Sequence, residues 1–296
     1  MSRRIAIILI GILVVLLGRG FFYYRGFHIA PSVEMPSFER VVAPLEPSTE
    51  YSDIYEKGEG KILFDIAHDN AVGVGELSVL VSRLISRGLT IDFFAARDDL
   101  EKELLGKQGG KGGEEEGLKE KPPVAYIIVC PQAEFSKEER ETINTFVNDR
   151  GKLLLIADPT RAGEMNSISL EFGLIFEPDY LYNVKENDAN FRNIFITEFK
   201  KNEITKDLEK IALYTAGSIT SADVTYSIAL VDQNTFSSVI ETRRGLSPIA
   251  LAKESKVLAI YDLTFMTEPY NGVLDNNQLI SNIADWLASP AEVPAA

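Results

Sequence analysis

Residues 61–70 read Lys61-Ile-Leu-Phe-Asp-Ile-Ala-His-Asp-Asn70. A short apolar run stops abruptly at Asp65, and His68, Asp69 and Asn70 follow. From about Gly75 the spacing turns helical. A buried run, a polar stop and a helix are how the first strand of a parallel sheet ends, and ligands in open α/β sheets bind outside such strand ends. His68 is one of two histidines in the chain. The other, His28, lies in a Pro-rich stretch and reads as an interfacial or solvated residue.

Outward from this stretch the chain alternates. Ile62–Ile66 reads as a strand. Glu76–Ser86 carries Leu77, Leu80, Val81, Leu84 and Ile85 at the spacing of one helical face, and Arg87-Gly88 stops it. Leu89–Phe94 is a second strand and Asp98–Leu105 a short helical piece. Residues 106–121 are Gly, Lys and Glu with almost no apolar side chain, which predicts a flexible loop. Val124–Val129 is a third strand, closed by Cys130-Pro131. Ser136 with Glu139 forms a capping box, opening a helix to about Asn148, and Lys152–Ala157 is a fourth strand. Apolar strands alternating with amphipathic helices predict a mostly parallel sheet with helices on both faces. Residues 162–251 are an irregular, β-rich insertion. It holds a short helix at Asn166–Phe172 and short strands at Leu174–Phe176, Asn193–Phe199, Ala212–Thr215, Tyr226–Val231 and Ser238–Glu241. Lys256–Tyr261 returns as a buried strand and Asp275–Leu287 as a last amphipathic helix. The α/β domain thus runs over 61–289, with a loose tail at 290–296.

The start of the chain differs. Ile5–Gly18 is unbroken apolar sequence behind Arg3 and Arg4. Alone it would span only ~21 Å, but extended to Tyr24 it reaches about the 30 Å of a hydrocarbon core, with Arg19 near enough to the end to snorkel. No small-x-small cleavage site follows Gly18, so an uncleaved anchor over 1–27 is favoured over a signal peptide. Residues 28–60 contain Pro31, Pro36, Pro44 and Pro47 and read as an extended stalk. The positive-inside rule favours a cytoplasmic N-terminus by a slight margin, which puts the domain outside the cytoplasm on a single-pass tether. A net charge of -14 argues against nucleic acid as a partner. Cys130 is the sole cysteine.

Taken in order, ILFDIAHDN, ELSVLVSRLISRG, VAYIIVCP, FSKEERETINTFVNDRG, KLLLIADP, KVLAIYDLTFM and LDNNQLISNIADWL resemble the class I glutamine amidotransferase-like superfold. They are similar in particular to membrane-anchored prokaryotic domains of unknown function related to gliding-motility and intraflagellar-transport accessory domains. The shared motifs are Asp65-x-x-His68-Asp69-Asn70 and Asp262 with Asp275-Asn276. The resemblance implies a flavodoxin-like sandwich over about Lys61 to Ser289 and no settled activity. True amidotransferases place a Cys in a Gly-x-Cys-x-Gly elbow and supply the base from a later His-x-Glu. The matching elbow here is Ile156-Ala-Asp-Pro-Thr160, and no histidine follows His68. Cys130 precedes Pro131, which has no N–H to offer an oxyanion. The resemblance therefore implies a catalytically silent member, with no catalytic residue assigned.

Two readings of the polar edge stand side by side. Asp65, His68, Asp69 and Asn70 line a ligand cleft, or they cap loose backbone between strand and helix. Asp158, Asp262, Asp275 and Asn276 join Asp65 and Asp69 on one sheet edge, or they too are turn and helix caps. No fixed-spacing metal motif appears, and Gly73-x-Gly75 is too short for a dinucleotide fingerprint, so neither metal nor cofactor is expected. The expected function is a membrane-anchored, non-catalytic binding or accessory domain. It would recognise a small polar ligand or a partner protein, in a transport or envelope complex. The alternative is a hydrolase using the acidic edge with a divalent cation, or with His68 as base.

Overall fold

The structure, a computed structural model, describes residues 3–24, 43–106, 122–149, 151–161, 163–240 and 245–289. The first half of the predicted stalk, most of the predicted loop at 106–121, Glu241 and the tail at 290–296 lie outside the described residues. The chain falls into two units, dividing after Val41.

The first unit contains α1 (Arg3–Tyr24), 22 residues long, or about 33 Å at the α-helical rise. Its aliphatic side chains, Ile7 through Leu17, are exposed. An 18-residue window has mean hydropathy 2.7. The helix is long and apolar enough to cross a membrane.

The second unit is α/β. Its elements are β1 (Lys61–Asp65), α2 (Ser78–Ser86, after a 3-10 turn at Val74–Leu77), β2 (Thr90–Phe94), α3 (Leu100–Leu105), β3 (Ala125–Val129), α4 (Lys137–Asp149) and β4 (Lys152–Ile156). Then come α5 (Asn166–Ser169), β5 (Leu174–Phe176), β6 (Leu181–Asn183), β7 (Asn193–Ile196), β8 (Glu198–Phe199), β9 (Ile211–Tyr214), β10 (Ile219–Ser221), β11 (Ser227–Leu230) and β12 (Thr235–Ser237). The chain closes with β13 (Ile249–Ala252), β14 (Val257–Ile260) and α6 (Asn276–Ala288).

Among the described residues an eight-stranded sheet has the order β2-β1-β3-β4-β14-β13-β11-β8. Strands β2, β1, β3, β4 and β14 are parallel, and β13, β11 and β8 extend the sheet antiparallel. Side chains alternate between the faces of a strand, and the two core layers follow that alternation. Ile62, Phe64, Ile127, Leu154 and Ile156 pack with α2 and with Leu279, Ile283 and Trp286 of α6. Leu63, Tyr126, Ile128, Leu153 and Leu155 pack with Leu104 of α3 and Ile143 and Phe146 of α4. Strands β3 and β4 are buried throughout, the state of parallel strands covered on both faces.

The insertion differs in detail from the sequence expectation. The predicted strand Asn193–Phe199 breaks at Thr197 into β7, which pairs with β9, and β8, which joins the large sheet. In place of Ser238–Glu241, the strand is β12, paired with β6. Strand β13 forms a hairpin with β14 through Lys253, Glu254 and Ser255, all at positive φ.

Residues 43–60 do not run free. Ser48 N donates to Gly272 O at 2.8 Å. A Cβ on Gly272 would stand 2.3 Å from Ser48 O, so only glycine fits there. Tyr51 Oη donates to Gln278 Oε1 at 3.0 Å, with the Arg83 guanidinium over its ring at 4.6 Å. Asp53 accepts from Arg87 Nη1 and Nη2 at 3.0 and 3.2 Å. Gly58 N closes the strap on Arg87 O at 2.8 Å. From residue 43 the predicted stalk is therefore a strap along α2 and α6.

Candidate functional site

The chain leaves β1 outward to β2 and returns past it to β3, so the strand order reverses between β1 and β3. The loops after these strands part there, and the crevice at such a switch point is where open α/β sheets hold ligands. Asp65 ends β1 and is 4% exposed. It accepts from Tyr126 Oη at 2.9 Å, His68 Nδ1 at 2.9 Å, Asn70 Nδ2 at 3.0 Å and Ala67 N at 3.3 Å. These bonds draw residues 66–70 back over the strand end. His68 O then accepts from Gln132 N at 2.8 Å, stitching this loop to the one after β3.

The imidazole of His68 stacks on Phe135, with centroids 3.7 Å apart and an interplanar angle of 23°. Its Nε2 lies 3.4 Å from Glu139 Oε1. Glu139 belongs to the capping box of α4: Ser136 N donates to its Oε2 at 2.8 Å, and its own N donates to Ser136 Oγ at 3.2 Å. Burial works against a charged imidazole, but the hydrogen bond and charge of Asp65, joined by Glu139, outweigh it and raise the His68 pKa above 6.5. Burial also pushes Glu139 up, and the Ser136 bonds with His68 outweigh that, leaving Glu139 below its ordinary value. Burial, reinforced by the Asp65 charge, holds the Tyr126 hydroxyl well above its usual pKa.

A cleft of about 320 Å³ opens beside this arrangement. His68 and Phe94 line it, with Asp98, Asp99, Glu101, Glu138 and Glu139 among the lining residues, and no Lys or Arg lines it among the described residues. Such a lining favours a cationic or hydrogen-bond-donating guest.

Asp65, His68 and Asn70 therefore come together. Asn70 Nδ2 also donates to Val129 O at 2.9 Å, while its buried Oδ1 has no partner among the described residues. Asp69 is exposed at φ 50.

The other expected edge residues do not converge on the cleft. Asp158 accepts from Thr160 N at 2.8 Å and Leu263 N at 3.3 Å, tying the ends of β4 and β14. Asp262 is fully buried and accepts from Tyr214 N at 2.6 Å and Thr264 N at 2.8 Å. Burial drives its carboxyl well above the usual range. Asp275 accepts from Glu209 N and Lys210 N, each at 2.8 Å. Asn276 binds the backbone of β9 like a neighbouring strand: Oδ1 accepts from Ala212 N at 3.0 Å and Nδ2 donates to Ala212 O at 2.9 Å. Backbone N–H groups occupy these carboxylates, which gives no support to the alternative in which the acidic edge holds a divalent cation. Among the described residues no three His, Cys, Asp or Glu side chains assemble in a way that could hold a metal ion.

Cys130 is buried at φ 43 after β3. Burial pushes its thiol up to about 12, against the opposing charge of Arg161, so it is held as an unreactive thiol.

The sequence reading missed Glu139, Tyr126 and Phe135 as members of the site. A signal existed for two of them. Tyr126 carries the one hydroxyl in the otherwise aliphatic β3, and a buried tyrosine hydroxyl wants a partner. Glu139 sits at the N-terminus of the helix that follows the switch-point strand.

No family model and no curated protein sequence matches this chain. Among solved structures, the chain is similar to one titled mmIFT52 N-terminal domain, with TM-score 0.56 and 14% identity, over 77% of this chain and 97% of that one. Similarity to a ThuA-like protein from Parabacteroides merdae has TM-score 0.42 and 10% identity, over 81% and 93% of the two chains. At these identities the first likeness is one of fold: a mostly parallel, flavodoxin-like α/β sandwich.

Proposed function

We propose that this chain is a membrane-anchored binding or accessory domain whose switch-point cleft captures a small polar ligand or a polar group of a partner protein, as part of a transport or envelope complex. The observation that carries the reading is the Asp65–His68–Glu139 arrangement on the wall of the acidic cleft. A general base needs a free lone pair, yet both nitrogens of this imidazole face carboxylates. The protonated Cys130 thiol points the same way. The acidic lining favours an ammonium or guanidinium group as guest, from a free amine or from a basic side chain. α1 supports a single-pass anchor, and Arg3 and Arg4 ahead of it favour a cytoplasmic N-terminus with the domain on the other side.

The test is thermal unfolding of the full chain in detergent, with putrescine and an Arg-Lys-Arg tripeptide as probes. A guest that binds only the folded state raises Tm. The double variant Glu101→Gln/Glu138→Gln should lose that shift, and it spares Asp65 and its four donors. No shift with either probe, together with no partner recovered from solubilised membranes, sinks the reading.

One observation favours hydrolysis as a second reading: a buried carboxylate orients Nδ1 of His68, as in carboxylate–imidazole dyads. That reading needs Glu139 to leave Nε2. Ester or amide turnover abolished by His68→Gln would establish it.

A further inference from the structure

Glu139 serves two structures at once. Its Oε2 closes the capping box of α4 through Ser136 N, and its Oε1 faces His68 Nε2 at 3.4 Å. His68 Nδ1 is already committed to Asp65 at 2.9 Å. A neutral imidazole carries one N–H, and only the imidazolium donates from both nitrogens. The bridge between β1 and α4 is thus complete only while His68 is doubly protonated.

The two ends are unequal. The Asp65 side chain is fully buried and takes three further donors, so His68 keeps its Nδ1 bond. The Glu139 side chain is 29% exposed and can hydrate. The groups facing the imidazole are Asp65 from β1, with Tyr126 of β3 behind it, Glu139 from α4, and Phe135, whose ring stacks on the imidazole. The cleft beyond adds Asp98, Asp99, Glu101 and Glu138. None of these offers a positive charge to replace the lost proton.

We infer that His68 is a proton-operated latch on the cleft: protonated, it ties Glu139 of α4 to the end of β1, and on losing its proton it releases Glu139 and opens that wall. Release leaves the wall one proton more negative and frees a carboxylate for a cationic guest. The raised His68 pKa sets the change on the alkaline side of 6.5. That the latch regulates capture rests on the reading of the cleft given above, whereas the latch itself does not.

The experiment uses the full chain in detergent micelles with His28→Gln, which leaves His68 as the sole histidine. Nitrogen-15 imidazole spectra are followed from about pH 5.5 to about pH 9. Both ring nitrogens should be protonated at the acid end, with a midpoint above 6.5 and an Nδ1–H tautomer beyond it. Glu139→Gln should lower the midpoint. Hydrogen exchange of the Ser136 and Glu139 amides, corrected for intrinsic rates, should lose about fivefold protection through the same midpoint, and stay flat in Glu139→Gln. A midpoint below 6.5, an Nε2–H tautomer at high pH, or exchange indifferent to the titration overturns the latch. Putrescine should bind more tightly above the midpoint. A titrating latch with no putrescine binding at any pH would overturn the cationic-guest reading of the cleft and leave the latch standing.

Discussion

Asp65 is the residue on which the site hangs, because four donors converge on one buried carboxylate. Asp65→Ala would strand Tyr126 Oη and His68 Nδ1 together and leave Asn70 Nδ2 only its bond to Val129 O. It should cost about 3–5 kcal/mol, the range for breaking a buried charged pair, measured by denaturant unfolding. Tyr126→Phe removes one donor of four and should cost only about 1 kcal/mol. Stability should also follow His68. It binds its proton more tightly folded than unfolded, so its contribution is full below about pH 6.5 and is lost as pH rises through the raised folded value. A His68→Gln variant should show a smaller fall in Tm across that window than the wild type. Equal falls would remove His68 as the cause.

At the scale of elements, helix ends decide much of the packing. Lys152, at the start of β4, is 4% exposed and donates from Nζ to Trp286 O, and to Ser289 O and Oγ at 2.9 and 2.8 Å. It caps the last carbonyls of α6 with a cation, as a helix C-terminus favours. Lys152→Met keeps the stem but leaves those carbonyls without it, and should cost about 2 kcal/mol by thermal unfolding. The elements legible in the sequence were those with a period: the apolar run of β1, the stripe of α2, the Ser136–Glu139 box of α4 and the Leu279, Ile283 and Trp286 face of α6. Strands β6, β10 and β12 are three residues each, too short for a two-residue alternation to register. In β13, two alanines in four residues gave little strand propensity, although all four are buried against β14. Asp275 was legible as a helix start, but its carboxylate serves the distant backbone of 209–210, a tertiary contact no local pattern encodes. The polar stop after β1 was legible for the same reason as the strand. Glu139, five elements further along the chain, was visible only as a cap.

Across the whole molecule, Pro44 and Pro47 suggested an extended stalk; residues 43–60 carry neither helix nor strand and are docked on the domain. Their attachment to α2 and α6 depends on partners 29 or more residues away in sequence. Arg87 is fully buried and joins Asp53 of the strap to Asp285 and Ser281 of α6. The Lys57 side chain is exposed in the docked strap, so Asp53→Ala should act on the backbone around it: the loosened strap should fit the trypsin site and be cut at Lys57, a cut that limited proteolysis of the wild type should not show. Cleavage at Lys57 in both would contradict the strap as a docked element. A docked strap makes the α/β domain begin near residue 43 instead of at residue 61.

The acidic cleft is the proposed site at which this domain meets its guest. The most direct measurement is affinity capture of the full chain from native membranes, side by side with Glu101→Gln/Glu138→Gln, reading proteins and co-purified small molecules by mass spectrometry. A species enriched with the wild type should fall about tenfold with the variant, the scale of weakening a charged contact by one to two kcal/mol. Identical eluates from the two would contradict the cleft as the binding site.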